Sequence, residues 1–423
     1  MISTSLDLPD ARHLAVRACL GEEWLLMQSW QGASPQTVVR RLLAAEPQMP
    51  AKPPTLASWG SWENMLEQGE MAQAREQLNR DKMALKQWWL QHLLHTQTPL
   101  AERMVMFWHN HFTTSINKVN QPNLVLQQHQ LIRQHALGNF RALLHAIARD
   151  PAMLIYLDGA MNYKQHPNEN FARELLELFT LGSGHYRESD IKAAACAFTG
   201  WTVDRNSNRF LLDAQHHAPN TQPFLGKSGV QDGEQALDAL LEHPRTAEHI
   251  AEKCWYAFVS TESHDQAQTR QWANAFRSSG YDIKTLLESV LLSEAFWAQQ
   301  HRGVLIKSPL DLLTGVFRAL PWPGVAPSEL VKYAEKLGQN PFVPPTPKGW
   351  EGGKAWITTQ SLLDRYGILF QLTRTLPPTP LPVQSAAQIA QWLLATSPVK
   401  ALTGDSPQQF LLAAMFDPAY QLK

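Results

Sequence analysis

The sequence predicts a mainly α protein: one compact multi-helix domain with a small β-hairpin insertion. Three observations predict it. Ser34-Pro35, Thr98-Pro99, Ser308-Pro309 and Ser406-Pro407 each set a capping hydroxyl directly before a proline at the first helical position, where the missing N–H has no intrahelical partner to lose. Between these marks apolar residues recur at helical spacing, as at Val38, Leu42 and Leu43, or Leu286, Leu287, Val290 and Leu291. One stretch breaks the pattern: Thr202-Val203, a polar Arg205-Asn206-Ser207-Asn208 turn, then Arg209-Phe210-Leu211-Leu212, which reads as a hairpin.

Taken in order, residues 1–60 form an N-terminal helical segment and a connector carrying Pro47, Pro50, Pro53 and Pro54. Residues 61–375 form the helical core, and 376–423 the C-terminal helices, entered through Pro377, Pro378, Pro380 and Pro382. At a mean helix length of ~11–12 residues, roughly fifteen helices are expected. Thr98-Pro99 opens a helix through His111, apolar nearly all round and therefore buried. Asn168 to Leu181, preceded by Pro167 and closed by Gly182, reads as one helix. A helix from Asp190 to Thr199 follows, capped by Ser189 and ended by Gly200. Ser406 with Gln409 fits a capping box. Gly338 to Trp356, rich in Pro and Gly, is a long loop that serves either as the wall of a cleft or as a strap packed by its indoles.

The bulk numbers exclude several classes. The 423 residues are 44% hydrophobic and 18% charged, with 37 basic and 38 acidic side chains and a net charge of -1. No global field recruits nucleic acid or an anionic membrane. Apolar runs such as Met104 to Trp108 fall far short of the ~18 residues a membrane span needs. The first residues lack a basic n-region and an apolar h-region, so no secretory leader is expected and a cytoplasmic location is the default, although a removed leader would look the same. Cys19, Cys196 and Cys254 are widely spaced and read as small core residues. Fifteen Trp against eight Tyr is an unusual balance; most are core, and a few can line a ligand cleft.

Chemistry concentrates in the 168–182 helix. Phe171, Ala172, Leu175, Leu176, Leu178 and Phe179 cover a broad apolar arc, leaving Asn170, Arg173, Glu174 and Glu177 in a narrow polar stripe. The plain reading is an ion-pair ladder, Glu169 with Arg173 at i,i+4 and Arg173 reaching Glu177. The sharper reading is a site. His109 and His111 are two apart, about 200° round a helix, so only one can face the carboxylates, and His111 is favoured. Each is also open to being an ordinary buried histidine. His109, His111, Glu174 and His217 are the candidate metal ligands, a mixed donor set that suits Zn, Mn or Fe. Glu174, Glu177, Arg173 and Asn170 are the candidate catalytic groups, and Trp201, Trp350 and Trp356 the candidate substrate-binding indoles. A metal-free alternative is glycoside hydrolysis by paired acids, but Glu174 and Glu177 share one helix face, so a second acid would come from Asp190 or Asp213. There is no nucleotide, haem or flavin signature, and no GxSxG or HExxH.

Phe107-Trp108-His109-Asn110-His111-Phe112, Asn168-Glu169-Asn170-Phe171-Ala172-Arg173-Glu174-Leu175-Leu176-Glu177-Leu178 and Phe198-Thr199-Gly200-Trp201 resemble the bacterial family catalogued as domain of unknown function 1800. Phe224-Leu225-Gly226, His243-Pro244 with Thr246-Ala247, and Pro345 through Gly349-Trp350 to Trp356 match in order, as does the early Arg12-His13-Leu14 and Arg17 region. The resemblance implies an exported protein encoded beside a sulfatase-like partner, working on the cell envelope or on polysaccharide. Family patterns carry a His-Asp pair before the Phe-Leu-Gly element, where this chain has His216-His217-Ala218. The leading expectation is a metal-dependent, hydrolase-like enzyme acting on a carbohydrate or an anionic small substrate. The alternatives are a non-catalytic partner or assembly protein of a sulfatase-like system, and a carboxylate-pair glycoside-active enzyme.

Overall fold

A computed structural model describes residues 4–423 apart from 49, 205–206, 321, 323–324 and 376–379. Among the described residues the chain forms 22 α-helices and one two-stranded antiparallel sheet. The excess over the expected helix number comes from single-turn pieces such as Trp24–Gln28, Ile116–Val119 and Glu294–Trp297, which turn corners between longer elements. No helix is long and apolar enough to cross a membrane.

Local capping sets the helix starts. Ser34, Ser308 and Ser406 accept from the backbone N–H of Thr37, Asp311 and Gln409. Thr98 is an exception: it precedes Pro99 but accepts from Gln48 N at 2.9 Å, tying the 46–60 connector to the helix start. Gln409 does not close a box on Ser406; its carboxamide oxygen accepts from Asp405 N. The helix expected from Asp190 starts earlier, as Glu188–Ala197, because Asp190 reaches back to Arg187 N at 2.8 Å. The hairpin pairs Trp201–Asp204 with Arg209–Leu212, Trp201 opposite Leu212. Of its expected turn, Arg205 and Asn206 lie outside the described residues, as do Pro377 and Pro378 of the late connector and residues 1–3 of the leader reading.

The core is built around the helix Pro99–His111 and its neighbours, where Trp108, Phe112, Phe140 and Phe179 pack at ring separations of 5.2–6.2 Å. Leu8–Ala18 and Ala386–Leu393 pack together, and Trp392 donates from Nε1 to Glu22 O at 2.8 Å. Buried Arg17 donates to the carbonyls of Phe258, Val259 and His301, which anchors the first helix to the end of Pro244–Phe258. These contacts position the helix that lines the candidate site. The three cysteines are free thiols, with Cys19 and Cys254 buried and Cys196 half-buried.

Candidate functional site

The expected carboxylate helix is α-helical only over Glu169–Glu174 and continues as a π-helix over Leu175–Thr180. Its wider turn is visible in the Leu181 N–H donating to Leu176 O at 2.8 Å and in Thr180 Oγ1 donating to Leu175 O at 2.7 Å. The carbonyls of Leu178 and Phe179 are left for side chains: His249 Nε2 donates to the first and His111 Nε2 to the second, both at 3.1 Å. Arg245 Nε then donates to Leu181 O at 2.9 Å. A carbonyl can only accept, so both imidazoles carry their proton on Nε2 and keep a lone pair on Nδ1. His111 Nδ1 is buried without a hydrogen-bond partner. Burial, then the Lys253 and His249 charges, hold His111 well below the ordinary histidine range, so it is a neutral acceptor at physiological pH.

The polar stripe divides between structural work and one open group. Asn170 donates from Nδ2 to Leu157 O and Asp158 Oδ2 at 3.1 and 3.2 Å. Arg173 meets Glu169 at 3.0 Å and Glu188 at 2.7 Å; it does not take Glu177, and its 39% exposed side chain is too open for a buried ladder. Glu177 accepts from Tyr186 OH at 2.8 Å. Glu174 is half-buried, and no hydrogen bond or ion pair of its carboxylate is present among the described residues. Burial and the neighbouring Glu177 charge raise its carboxyl above the usual range, against the opposing charges of Lys348 and Arg173.

The four expected metal ligands are not brought together. His109 Nε2 meets His129 Nδ1 at 2.8 Å on the far side of its helix, as the 200° separation from His111 requires. His217 Nδ1 donates to Thr199 O at 2.8 Å in the loop after the hairpin. Among the described residues, no three His, Cys, Asp or Glu side chains are grouped to hold an ion. His111 is surrounded by Phe107, Trp108, Phe112, Phe179 and His249, with the Lys253 charge also acting on it.

The indoles also separate. Trp201 is buried between Phe198 and Phe210, at ring separations of 4.9 and 5.0 Å, and packs the hairpin. Trp350 and Trp356 instead form one wall of a cleft of about 560 Å³, within the usual size for a small-molecule site. The strap that carries them is tied to the central helix: Trp350 N donates to Asn110 Oδ1 at 2.8 Å, and Asn110 Nδ2 returns to Trp350 O at 3.2 Å. Gly349, at φ +81°, makes this approach possible, since a Cβ there would stand 2.4 Å from Asn110 Oδ1. Phe107, His111, Lys253 and Tyr256 line the same cleft. Four basic side chains, Arg103, Lys253, Lys348 and Lys423, line the cleft against the carboxylates of Asp311 and Glu351. Asp311 is taken by Arg103 and Lys423, both at 2.5 Å. Neither Lys253 nor Lys348 has an ion pair among the described residues, because Glu252, beside Lys253 in sequence, is held by Arg245.

The family model described as "Protein of unknown function (DUF1800)" matches residues 13–419. The chain belongs to this family. No curated protein and no solved structure matches it. In this DUF1800 chain the match spans the cleft from the central helix to the strap, with Lys423 of its lining beyond the matched residues.

Sequence reasoning missed His249, Lys253 and Lys348. The first two had a readable signal: they are i,i+4 on the helix Pro244–Phe258 and so share a face. Lys348 had none, because only the docking of the strap brings it to the cleft.

Proposed function

We propose that this DUF1800 chain is an enzyme that takes an anionic, ring-bearing small molecule, first of all an acidic carbohydrate, into the cleft and hydrolyses it. The observation that carries this reading is the pair Lys253 and Lys348, amines without carboxylate partners among the described residues, in a cleft also lined by Trp350 and Trp356. Aromatic faces take the apolar side of a sugar ring, and unpaired ammonium groups take its charge. His111 stands in the cleft lining as a neutral imidazole oriented by the Phe179 carbonyl, and its buried Nδ1 makes it a polar wall group and not the proton carrier. Glu174, its carboxyl held above the usual range, keeps a larger protonated fraction than an ordinary glutamate and is the donor. Glu174 is not one of the residues lining the cleft, and its donor role rests on Lys348, whose charge acts on both Glu174 and Lys253. No step needs a metal, and the expected donor set does not assemble one.

Calorimetric titration with a uronate-bearing oligosaccharide and its neutral counterpart tests the reading. The acidic ligand is expected to bind at least ~10-fold tighter, with Lys348→Gln removing most of that margin, equivalent to about 1.4 kcal/mol. Equal binding of the neutral ligand, unchanged by Lys348→Gln, would remove the anionic part. Absence of binding by either ligand would sink the reading. Reducing-end release that survives Glu174→Gln would take the acid role away from Glu174.

A further inference from the structure

We propose that Lys253 is a reactive amine that forms a reversible imine with an aldehyde or ketone of an anionic ligand held in the cleft. The inference rests on the anionic-ligand reading for the ligand's charge, but not for the amine's reactivity. The Lys253 side chain comes from inside the helix Pro244–Phe258, is half-buried, and lines the cleft together with Trp350 and Trp356. Most lysines this enclosed are paired with a carboxylate; here the adjacent carboxylate, Glu252, is bound by both Nη atoms of Arg245. The charges that act on it are those of Lys348 on the strap and Glu252 beside it in sequence. Burial first, then the Lys348 charge, make the amine easier to deprotonate than a free lysine, and an amine desolvated next to a second cation is a recognised way to activate a lysine as a nucleophile. His111 lines the same cleft as a neutral imidazole.

The chemistry balances without a further reagent. The Nζ lone pair forms a C–N bond to the carbonyl carbon, and the carbonyl electron pair moves onto oxygen, which receives one of the two amine protons through solvent in the cleft. The second amine proton is given up to solvent as the carbinolamine hydroxyl, protonated from solvent, departs as water and leaves the imine. Addition of water reverses the sequence. Lys348 holds the ligand's charge throughout. The ligand class is an anion with a free aldehyde or ketone, a description that the open-chain form of an acidic sugar meets.

The test uses the full chain and two aromatic aldehydes, pyridoxal 5′-phosphate and the uncharged pyridine-4-carboxaldehyde, at pH 7. Borohydride reduction fixes any imine as a secondary amine, and peptide mass spectrometry locates it. The expected result is labelling of Lys253 by the phosphate-bearing aldehyde at least ~10-fold above exposed lysines such as Lys336 and Lys354, whose side chains are 60% and 79% exposed. Lys348→Gln should lower that labelling several-fold. Labelling of Lys253 by both aldehydes equally would support the reactive amine while overturning the anionic-ligand reading. Labelling confined to exposed lysines, with Lys253 unmodified, would overturn the proposal. The mapping is made on the unaltered chain, so it does not depend on whether Lys253→Met folds.

Discussion

The Arg133 guanidinium donates to both carboxylate oxygens of Glu102 and, from Nη2, to His129 Nε2 at 3.1 Å. Arginine cannot accept, so His129 carries its proton on Nδ1 and passes it toward His109 Nε2 at 2.8 Å. The tautomers of two buried histidines are thus set by one cation. Glu102 is fully buried; burial alone would raise its carboxyl, but hydrogen bonds from His92 and Arg133 outweigh this and lower it. Removing one partner of such a pair strands the other in a low-dielectric site. Glu102→Gln is therefore expected to lose about 3 kcal/mol in urea denaturation, while Glu102→Gln combined with Arg133→Met loses clearly less than the sum of the singles. Additive losses would show that the pair is uncoupled. This chain also explains why His109 serves packing and polar order while His111, on the other side of the same helix, faces the cleft. That division was legible in the sequence, because two residues on an α-helix are placed by geometry alone.

At the scale of elements, the deciding feature is the π-turn of Leu175–Thr180. Such wide turns are uncommon and cluster at functional sites, since they release carbonyls from the helical ladder. Here the released carbonyls orient His111 and His249. Periodicity cannot reveal it: the apolar arc from Phe171 to Phe179 reads as an ordinary helix, and the histidines that stabilise the wider turn lie 68 and 71 residues away in sequence. Its end depends on Gly182, at φ +82°, where a Cβ would stand 3.0 Å from His249 Nδ1. Gly182→Ala is expected to lose about 1–2 kcal/mol from the left-handed conformation and the displaced imidazole. A shifted His249 ring resonance by NMR should accompany the loss, and an unchanged melting temperature would refute it. The strap resolves the two readings that its Pro/Gly content left open. It is both wall and structure, because Asn110 holds its backbone while its indoles line the cleft.

For the whole molecule, buried neutral histidines dominate the response to acid. Burial lowers His13, His111 and His129 well below the ordinary value, His109 to about 3 and His249 to about 4. Their unfolded-state values lie near 6.5, so below that pH the unfolded chain binds protons that the folded chain refuses, and stability is lost as pH falls. Between pH 7.5 and 5.5 each contributes up to about 1.4 kcal/mol of destabilisation. Asp150 acts in the opposite sense: burial raises it to about 7, so the folded chain keeps its proton between about pH 4 and 7 and gains stability there as pH falls. One carboxyl offsets only one histidine. The melting temperature is expected to fall continuously from pH 7.5 to 5, and a flat profile would show that these imidazoles are hydrated and free to protonate.

The sequence by itself determined the helical class, the hairpin, the capped starts at Ser34, Ser308 and Ser406, the opposed directions of His109 and His111, and the family. Each follows from contacts within a few residues or from the order of short motifs. Only the tertiary structure decided the site. It buried Trp201 beneath the hairpin, sent Arg173 to Glu188 and Glu177 to Tyr186, and left Glu174 open. It also set Lys348 of the strap within electrostatic reach of Lys253, in a cleft that His111 also lines. The reason is physical: local propensity acts along the chain, whereas the pairing or isolation of a charge depends on which distant element is packed against it.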